Sequence, residues 1–432
     1  PDTVNLLFRV DWGGYPGLAQ RLVRLEAFGP DGSLTVLPDA GHFGNGHHLI
    51  PVAMPQHLTV RYVMVLTPPQ NSELYHRASQ LDSQGGHLLA GDLLPRVWVG
   101  PPRDGERTAH VWIGGLPNDW RIATVLQRSG TGYSVDDILE AVFVVGRLRT
   151  KRLNLGPRAL TVAMHGGWPV PDERVMDAVE RIAGTLHRIA ADGWRSGDHL
   201  FAAGRVPRSV PGQSTGGQVI GRSGIIYLAG AGPGDAMFQQ WLRTTAHELM
   251  HWYIPTGFDL DPTSFNGAMP AWFSEGFTDY MALKILLVSG LLRPHDFLAE
   301  IGERLARYQS SPLYGSTSVT EAQTDFWRND AYRFIYDGGA AAAFLLDLGF
   351  QDRGGSLERA LGAIRRAAPV TRDVLFRSLA SIRENEWVVD WVSRGAEPDW
   401  DARLARYRLS WQHDTLVSSD DWVTDALSSI RP

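Results

Sequence analysis

The chain has 432 residues, of which 44% are hydrophobic and 20% charged, and this excludes a disordered or fibrous protein and leaves room for two or three domains. The formal net charge is only -6, with basic residues scattered among acidic ones, so we expect no nucleic-acid partner. No apolar run reaches the roughly 18 residues that span a bilayer, so we expect no membrane span. Cysteine is absent, which leaves His and carboxylate side chains to bind any metal.

The chain begins at Pro1 rather than at Met. A leader removed from this end would favour a periplasmic or secreted protein slightly over a cytoplasmic one, and the compartment is otherwise unknown. The oligomeric state is also unknown from the sequence.

Short alternating or β-branched runs, separated by Gly, Pro, Asn and Asp clusters, fill residues 1–153 and predict a β-sandwich-like N-terminal domain. LTVAMHGG then predicts one more strand, and DERVMDAVERIAGTLHRIAADGW has the apolar spacing of a long helix. Helices dominate from there, apart from the strand-like SGIIYLAG at 223–230. Residues 346–432 show amphipathic patterns and predict a C-terminal helical region. The fold class is therefore α+β, with a catalytic domain expected at 154–345.

Two helices in the middle of the chain carry the candidate site. The first is predicted to be capped by Asp235 and to run through MFQQWLRTTAHELMHWY until Pro255 and Gly257 stop it. The second is predicted to start near Pro270, which suits a first helical turn, and to continue to Gly290.

His247 and His251 lie four residues apart on one face of the first helix, so both imidazoles can bind one ion at roughly 2.0–2.1 Å. Glu248 is turned about 100° from His247, which lets it contact a metal-bound water instead. A catalytic zinc needs a third protein ligand and one open position. Glu275, on the second helix with 23 residues between it and His251, can supply that ligand. The pattern therefore predicts a Zn²⁺ cofactor.

Asp279 follows Glu275 by one helical turn, on the same face. We expect it to accept a hydrogen bond from the far ring nitrogen of a ligand histidine, which would determine the tautomer of that ring. The alternative is a simple surface carboxylate.

HELMH followed by WFSEGFTDY resembles the gluzincin metallopeptidases, the thermolysin-like group that binds zinc through two His and one Glu. The most similar branches are the glycyl aminopeptidase family and, more distantly, the large zinc aminopeptidase family that includes the leukotriene hydrolase. The resemblance implies a thermolysin-like catalytic domain and a peptide substrate.

The run Tyr336-Asp337-Gly338-Gly339-Ala340 resembles the segment in which these families place a tyrosine that stabilises the tetrahedral oxyanion. This resemblance implies that role for Tyr336. Tyr332, one turn earlier, is the competing candidate.

The aminopeptidase branches also carry a glycine-rich motif whose Glu binds the free α-amine of the substrate. The matching segment here is Gly216-Gly217-Gln218, which we predict to bind substrate, but the position expected to hold Glu reads Val219. An ammonium group in a partly desolvated pocket needs a charged partner, so exo versus endo cleavage stays open. The strand SGIIYLAG that follows is expected to pair at a sheet edge with an extended peptide, or to be a plain structural strand.

Together these residues predict an aminopeptidase-like zinc metallopeptidase in which Glu248 takes a proton from a water that attacks the scissile carbonyl. Two alternatives remain open: a zinc hydrolase of non-peptide substrates, and a catalytically silent zinc-stabilised binding protein.

Overall fold

A computed structural model of the chain describes residues 2–38, 44–53, 56–67, 75–101, 105–190, 193–194, 196–206, 213–230, 234–265, 269–412, 415–419, 425 and 427. Strands and helices are both abundant, which confirms the α+β class. The chain separates into two compact units, residues 1–172 with 197–241, and residues 173–196 with 242–432. The domain boundaries expected from the sequence stay predictions, and the first of them falls inside the strand Arg149–Leu155.

The first unit is mainly β-structure, as the short apolar runs predict, and the β-sandwich-like arrangement of its N-terminal part stays a prediction. Its elements are β1 (Asp2–Leu7), β2 (Asp11–Trp12), β3 (Tyr15–Pro16), β4 (Leu22–Gly29), β5 (Gly32–Leu34), β6 (Leu37–Pro38), β7 (His47–Val52), β8 (Thr59–Met64), β9 (Gln80–Leu81), β10 (Gly85–Leu89), α1 (Ala90–Leu93), β11 (Arg96–Val99), β12 (Ala109–Val111), β13 (Arg121–Ala123), β14 (Arg128–Ser129), β15 (Gly132–Val135), β16 (Val142–Gly146), β17 (Arg149–Leu155), β18 (Arg158–Met164), β19 (His199–Val206), β20 (Gln213–Ile220) and β21 (Ser223–Gly230).

Small antiparallel sheets account for the N-terminal part, with strand orders β11-β1-β7-β6, β13-β16-β10-β9, β12-β15-β14 and β5-β4-β8. Strand β16, between β13 and β10, is apolar apart from its final glycine and is buried at every residue. Both of its faces are covered, because Val142 and Val144 pack in one apolar cluster and Phe143 and Val145 in another. Strand β8, at an edge, instead alternates exposed and half-buried residues. The sequence pattern thus distinguishes a strand that is covered on both faces from one that is covered on a single face.

The fifth sheet has the order β17-β18-β19-β21-β20. β18, β19 and β21 run parallel to one another, and β17 and β20 pair antiparallel at the two edges. Of the two interpretations of SGIIYLAG, the edge strand is therefore wrong and the plain structural strand is confirmed. A turn at Gly221, whose φ is +55°, folds β20 back onto β21, so both sides of β21 already make ladder hydrogen bonds.

Helices form most of the second unit, and α3 runs from the first unit into the second. The elements are α2 (Asp172–Ile189), α3 (Gly234–Met250), a π-helix (Trp272–Phe277), α4 (Thr278–Val288), α5 (Pro294–Ser310), α6 (Val319–Ala322), α7 (Ala331–Asp352), α8 (Leu357–Arg366), α9 (Arg372–Leu379), α10 (Trp387–Arg394), α11 (Trp400–Arg406), β22 (Leu409–Gln412) and β23 (Thr415–Ser418). Among the described residues, no helix is both long and apolar enough to span a membrane.

The two predicted site helices are present with different ends. Helix α3 begins at Gly234, so Asp235 lies within its first turn rather than at its cap. A carboxylate in the first turn still stabilises the helix, because it lies at the positive end of the helix dipole. Helix α3 ends at Met250, and residues 251–257 continue as turns. The second helix opens as the π-helix and continues without interruption into α4.

A buried ion network ties α4, α7 and α8 together. The ammonium of Lys284 lies 2.6 Å from a carboxylate oxygen of Asp347 and 2.5 Å from one of Glu358. All three side chains are buried, and the hydroxyl of Tyr280 also donates to Asp347 at 2.6 Å. Because an unpaired charge in such a place is strongly destabilising, the three helices have to keep this arrangement.

The C-terminal part contains the expected helices and one element that the helical prediction lacks. The side chains of Ser356 and Thr371 cap α8 and α9 by accepting backbone hydrogen bonds. Strands β22 and β23 pair antiparallel, so residues 346–432 are not helical throughout. Leu416 of this hairpin packs on α5, where a Cβ on Gly302 would lie only 2.9 Å from that of Leu416.

Candidate metal centre

The two histidines of the site stand at the C-terminal end of α3. His247 lies in the last turn of the helix, and His251 directly follows its final residue. The backbone N–H of His251 donates to the carbonyl of Glu248 at 3.1 Å, so the chain keeps a helix-like turn through this residue. The two rings are 4.7 Å apart between centroids and nearly perpendicular, at 89°. Both imidazoles therefore reach the same small volume.

Glu275 lies in the π-helix and is directed at both rings. One of its carboxylate oxygens is 3.4 Å from Nε2 of His247 and 3.5 Å from Nε2 of His251. The wider turn of a π-helix changes the direction of successive side chains, and such turns are frequent at functional sites. Glu275 thus joins the two histidines from a second helix, as the sequence predicts.

These three groups fit a divalent metal. A tetrahedral zinc with ligand bonds of about 2.0–2.1 Å has ligand-to-ligand edges of about 3.3–3.4 Å, close to the distances from Glu275 to each ring nitrogen. All three donor atoms lie within 4.8 Å of one another, and among the described His, Cys, Asp and Glu side chains no other group of three or more meets this criterion. Nitrogen and carboxylate donors without thiolate match the ligands of catalytic rather than structural zinc.

Each ring uses its other nitrogen for a hydrogen bond that determines its tautomer. Nδ1 of His247 lies 2.6 Å from a carboxylate oxygen of Asp279, and Nδ1 of His251 lies 2.9 Å from the carbonyl oxygen of Ile254. Because both partners are acceptors, Nδ1 carries a proton in each ring, which leaves Nε2, on the side of Glu275, as the nitrogen that can bind a metal. The structure thus places Asp279 against a histidine, in the interaction expected for it.

Sequence reasoning missed the charged groups behind Asp279. The guanidinium of Arg304 lies 2.5 Å from the second oxygen of Asp279 and 3.4 Å from Asp337. Arg307, one turn further along α5, donates to both oxygens of Asp337 at 2.7 and 2.9 Å. The three-residue spacing of the two arginines puts them on one face of α5, but only tertiary packing shows which acids they meet.

Tyr336 and Glu248 complete the site. The ring of Tyr336 lies parallel to that of His247, with 6.1 Å between centroids and 8° between planes, and its hydroxyl interacts with Glu275. The ring of Tyr332 packs against that of Tyr336, with 6.4 Å between the two centroids. The side chain of Glu248 is largely buried, with 8% of the residue exposed, and its charge acts on both histidines.

A glycine pair brings the helix of Glu275 into contact with α7. A Cβ on Gly339 would lie 2.2 Å from the carbonyl oxygen of Trp272, and one on Gly276 would lie 2.5 Å from the Cα of Gly339. Neither distance can accommodate a side chain, so the two backbones touch at this crossing. Tyr336 precedes Gly339 by one turn, and the close approach places its ring beside Glu275.

Opposite charges dominate the electrostatics of the metal-free site. Burial alone would lower the pKa of His247, but the carboxylates of Asp279 and Glu275 outweigh it and raise this pKa well above its usual value. Burial would raise the pKa of Glu275, and the two histidines instead lower it. Burial and then the charge of Glu275 raise the pKa of Tyr336 well above its ordinary range, so its hydroxyl stays protonated and can donate a hydrogen bond.

The predicted substrate segment belongs to the first unit. Gly216 and Gln218 lie on the edge strand β20 and contact the residues around His76. A Cβ on Gly216 would lie 2.1 Å from Nδ1 of His76, and the amide of Gln218 donates to the carbonyl of His76 and accepts from the indole of Trp12. The glycine therefore makes room for an imidazole, and substrate binding by Gly216-Gly217-Gln218 stays a prediction.

Comparison with protein families supports the resemblance. Residues 240–340 match the model of the M61 glycyl aminopeptidase family, and this range includes every candidate site residue of the second unit. The resemblance to this family is therefore confirmed over that range. No curated protein shows a significant match to the chain.

Solved structures share the fold. An aminopeptidase N family protein from Idiomarina loihiensis aligns with a TM-score of 0.77 and 17% identity, over 94% of this chain and 74% of that one. An M1 zinc metallopeptidase from Deinococcus radiodurans aligns with a TM-score of 0.53 and 15% identity, over 92% of this chain and 88% of that one. A variant of the latter, bound to a Tyr-Ser-Ala substrate, gives a TM-score of 0.51 at 15% identity, over the same shares of the two chains. At these identities the likeness shows the fold alone.

We expect the affinity for zinc to rise with pH through the neutral range. Because the pKa of His247 in the metal-free protein is raised, below that pKa the metal must displace a proton, and each displaced proton lowers the apparent affinity by about tenfold per pH unit. Asp279→Asn removes the carboxylate that raises this pKa most, so the affinity should level off at a lower pH. Zinc titrations against a competing chelator between about pH 6 and 9 measure both profiles.

Asp279→Asn should also weaken zinc binding by about 10- to 100-fold at high pH, because His247 loses the partner that orients its ring. His295→Ala is the matched control, since His295 lies outside the site with 74% of its side chain exposed, and its profile should equal that of the unmodified chain. An affinity independent of pH, or an unchanged Asp279→Asn profile, would contradict this account of the site.

Proposed function

We propose that this chain is a zinc-dependent peptidase with an aminopeptidase-like, thermolysin-like catalytic domain of the gluzincin kind. One observation carries the proposal: two imidazole Nε2 atoms lie 3.4 and 3.5 Å from the same oxygen of Glu275, the spacing that one tetrahedral ion requires. The match of residues 240–340 to a peptidase family supports a peptide as the substrate, and so does the fold shared with a metallopeptidase that binds Tyr-Ser-Ala.

Zinc held by His247, His251 and Glu275 would supply Lewis-acid chemistry, lowering the pKa of a water towards about 7 and polarising the scissile carbonyl. The chain's own residues handle the protons. Glu248 accepts a proton from the attacking water and later delivers it to the nitrogen of the leaving amine. The phenol of Tyr336 donates a hydrogen bond to the oxygen that becomes negatively charged as the carbonyl carbon turns tetrahedral.

The groups around this centre support turnover over a silent, zinc-stabilised fold. Asp279 orients the ring of His247, and Arg304 in turn pairs with Asp279. The orientation of a candidate metal ligand therefore depends on a carboxylate that is itself paired with a guanidinium. A structural zinc has four protein ligands, whereas the described residues of this site offer three and keep the buried carboxylate of Glu248 beside them. Activation of a water requires such a base, one that is not itself a metal ligand.

The choice between exo and endo cleavage depends on which side chain binds the free α-amine of the substrate. Val219 stands where the related aminopeptidases carry an amine-binding Glu, so this position offers a free ammonium group no opposite charge. We therefore expect acetylation of a peptide's amino terminus to have little effect on cleavage.

Glu248→Gln tests the proposal. We expect the variant to keep its zinc, because Glu248 is not a ligand, and to lose about 10²- to 10⁴-fold in kcat/KM, because an amide cannot accept the proton of the attacking water. The measurement is hydrolysis of a library of free and N-acetylated peptides, with zinc content determined on the same samples.

Glu173→Gln is the control, since Glu173 is exposed on α2 and is not one of the candidate residues, and it should retain full activity. Zinc-loaded protein that hydrolyses no peptide, or a Glu248→Gln variant as active as the unmodified chain, would overturn the proposal.

Tyr336→Phe separates the two tyrosine candidates. The variant keeps the ring parallel to His247 and loses only the hydroxyl, so KM should stay similar while kcat falls about 10²- to 10³-fold. Tyr332→Phe makes the same chemical change one helical turn away and should leave kcat within about twofold. Steady-state kinetics of both variants on one peptide decide between them, and a loss confined to Tyr332→Phe would transfer the oxyanion role to Tyr332.

A further inference from the structure

Four aromatic rings form a continuous surface that starts at Tyr336. The ring of Tyr336 lies 6.2 Å from that of Phe326 and 6.4 Å from that of Tyr332, between centroids. Trp327 touches both of these, at 4.8 Å from Phe326 and 6.3 Å from Tyr332. We call Phe326, Trp327 and Tyr332 the aromatic wall. It connects the ring beside His247 to the protein surface.

The outer end of the wall is open to solvent. Trp327 is 70% exposed, while Phe326 and Tyr332 are half-buried. A single exposed aromatic residue is common on protein surfaces, but this indole continues a row of rings that ends at the proposed oxyanion donor. An apolar group placed against the wall would be removed from water over several ring faces at once.

The backbone holds the wall in place through an unusual turn. Asn329 and Asp330 both have left-handed conformations, with φ of +51° and +54°, which Asn and Asp tolerate better than other non-glycine residues. The turn is closed by a hydrogen bond from the N–H of Tyr332 to the carbonyl of Phe326 at 3.0 Å. Two consecutive residues of this kind cost conformational energy, and such strain is concentrated at functional sites.

We infer that the aromatic wall is a specificity subsite for a large apolar or aromatic side chain of the substrate, next to the scissile bond. The inference rests on the proposed function, because Tyr336 then faces the scissile carbonyl and a neighbouring side chain meets the rings that contact Tyr336. Ring-on-ring contacts of this size favour Phe or Leu over Gly.

One cation of the chain already lies against the wall. The guanidinium of Arg333 already lies over the ring of Tyr332, 5.5 Å from its centroid, and Arg328 lies in the same loop, with 81% of its side chain exposed. The side chain of Arg328 is 3.7 Å from that of Asp325, which partly neutralises it. A lysine or arginine of the substrate would find the cation position on Tyr332 taken.

The test compares peptides that differ only in one residue beside the cleaved bond, which is Phe, Leu, Gly or Lys. The zinc-loaded chain should cleave the Phe and Leu peptides faster than the Gly and Lys peptides. In Trp327→Ala, the ratio of kcat/KM for Phe over Gly should fall about 3- to 10-fold while cleavage of the Gly peptide is retained. Trp112→Ala is the matched control, because Trp112 is 67% exposed and belongs to the other unit, and its ratio should not change.

The outcomes are separable. Cleavage of the Gly peptide by Trp327→Ala shows that the variant is folded, so an unchanged Phe-to-Gly ratio would overturn the subsite and leave the peptidase proposal intact. A preference of the unmodified chain for Lys over Phe would also overturn it. If the zinc-loaded chain cleaves none of the four peptides, the proposed function itself fails, and the subsite fails with it.

Discussion

Three electron-pair donors in a largely buried place, two imidazole nitrogens at 3.4 and 3.5 Å from one carboxylate oxygen, repel one another unless a cation or a proton lies among them. In this chain they are Nε2 of His247, Nε2 of His251 and a carboxylate oxygen of Glu275. Two neighbouring contacts maintain that arrangement: each imidazole is oriented through its other nitrogen, so neither ring can turn away without losing a partly buried hydrogen bond. A divalent ion would satisfy all three donors at once, and the proposed catalysis by zinc would use the coordination position that three ligands leave open.

Holding the donors together depends on packing outside the site. The backbone contact between Gly276 and Gly339 sets the distance between the helix of Glu275 and α7, and therefore the place of Tyr336. Asp279 receives support from α5 through Arg304. The geometry of the candidate site thus depends on one crossing of glycines and one chain of alternating charges. Through these contacts α7 and α5, which contribute no candidate metal ligand, hold the helix of Glu275 and Asp279 in place.

The sequence predicts well those features that depend on one helix. The four-residue spacing of His247 and His251, and of Glu275 and Asp279, follows from helical geometry, and the structure brings all four side chains together. The sequence could not reveal the role of Arg304, because the partner of Arg304 belongs to a different helix and no local spacing encodes that contact. It also could not anticipate the π-helical turn, since the run WFSEGF has nothing that distinguishes it from an ordinary helix start.

Errors in the β-structure have a similar origin. The residues of SGIIYLAG do form a strand, but whether a strand lies at an edge depends on which neighbour pairs with it, and the turn at Gly221 supplies that neighbour. The contact of His76 with Gly216 is likewise not encoded by any local pattern, and substrate binding by this segment stays a prediction. The hairpin of β22 and β23 was missed because two four-residue strands are too short to stand out beside helical patterns.

The position of the metal is the most direct test of this account. Crystals of the zinc-loaded chain, measured at the zinc absorption edge, would give an anomalous difference map that locates the ion. The account predicts one peak per chain, within bonding distance of Nε2 of His247, Nε2 of His251 and the carboxylate of Glu275. A peak elsewhere, or a Glu275 side chain turned away from a metal bound by the two histidines, would contradict it.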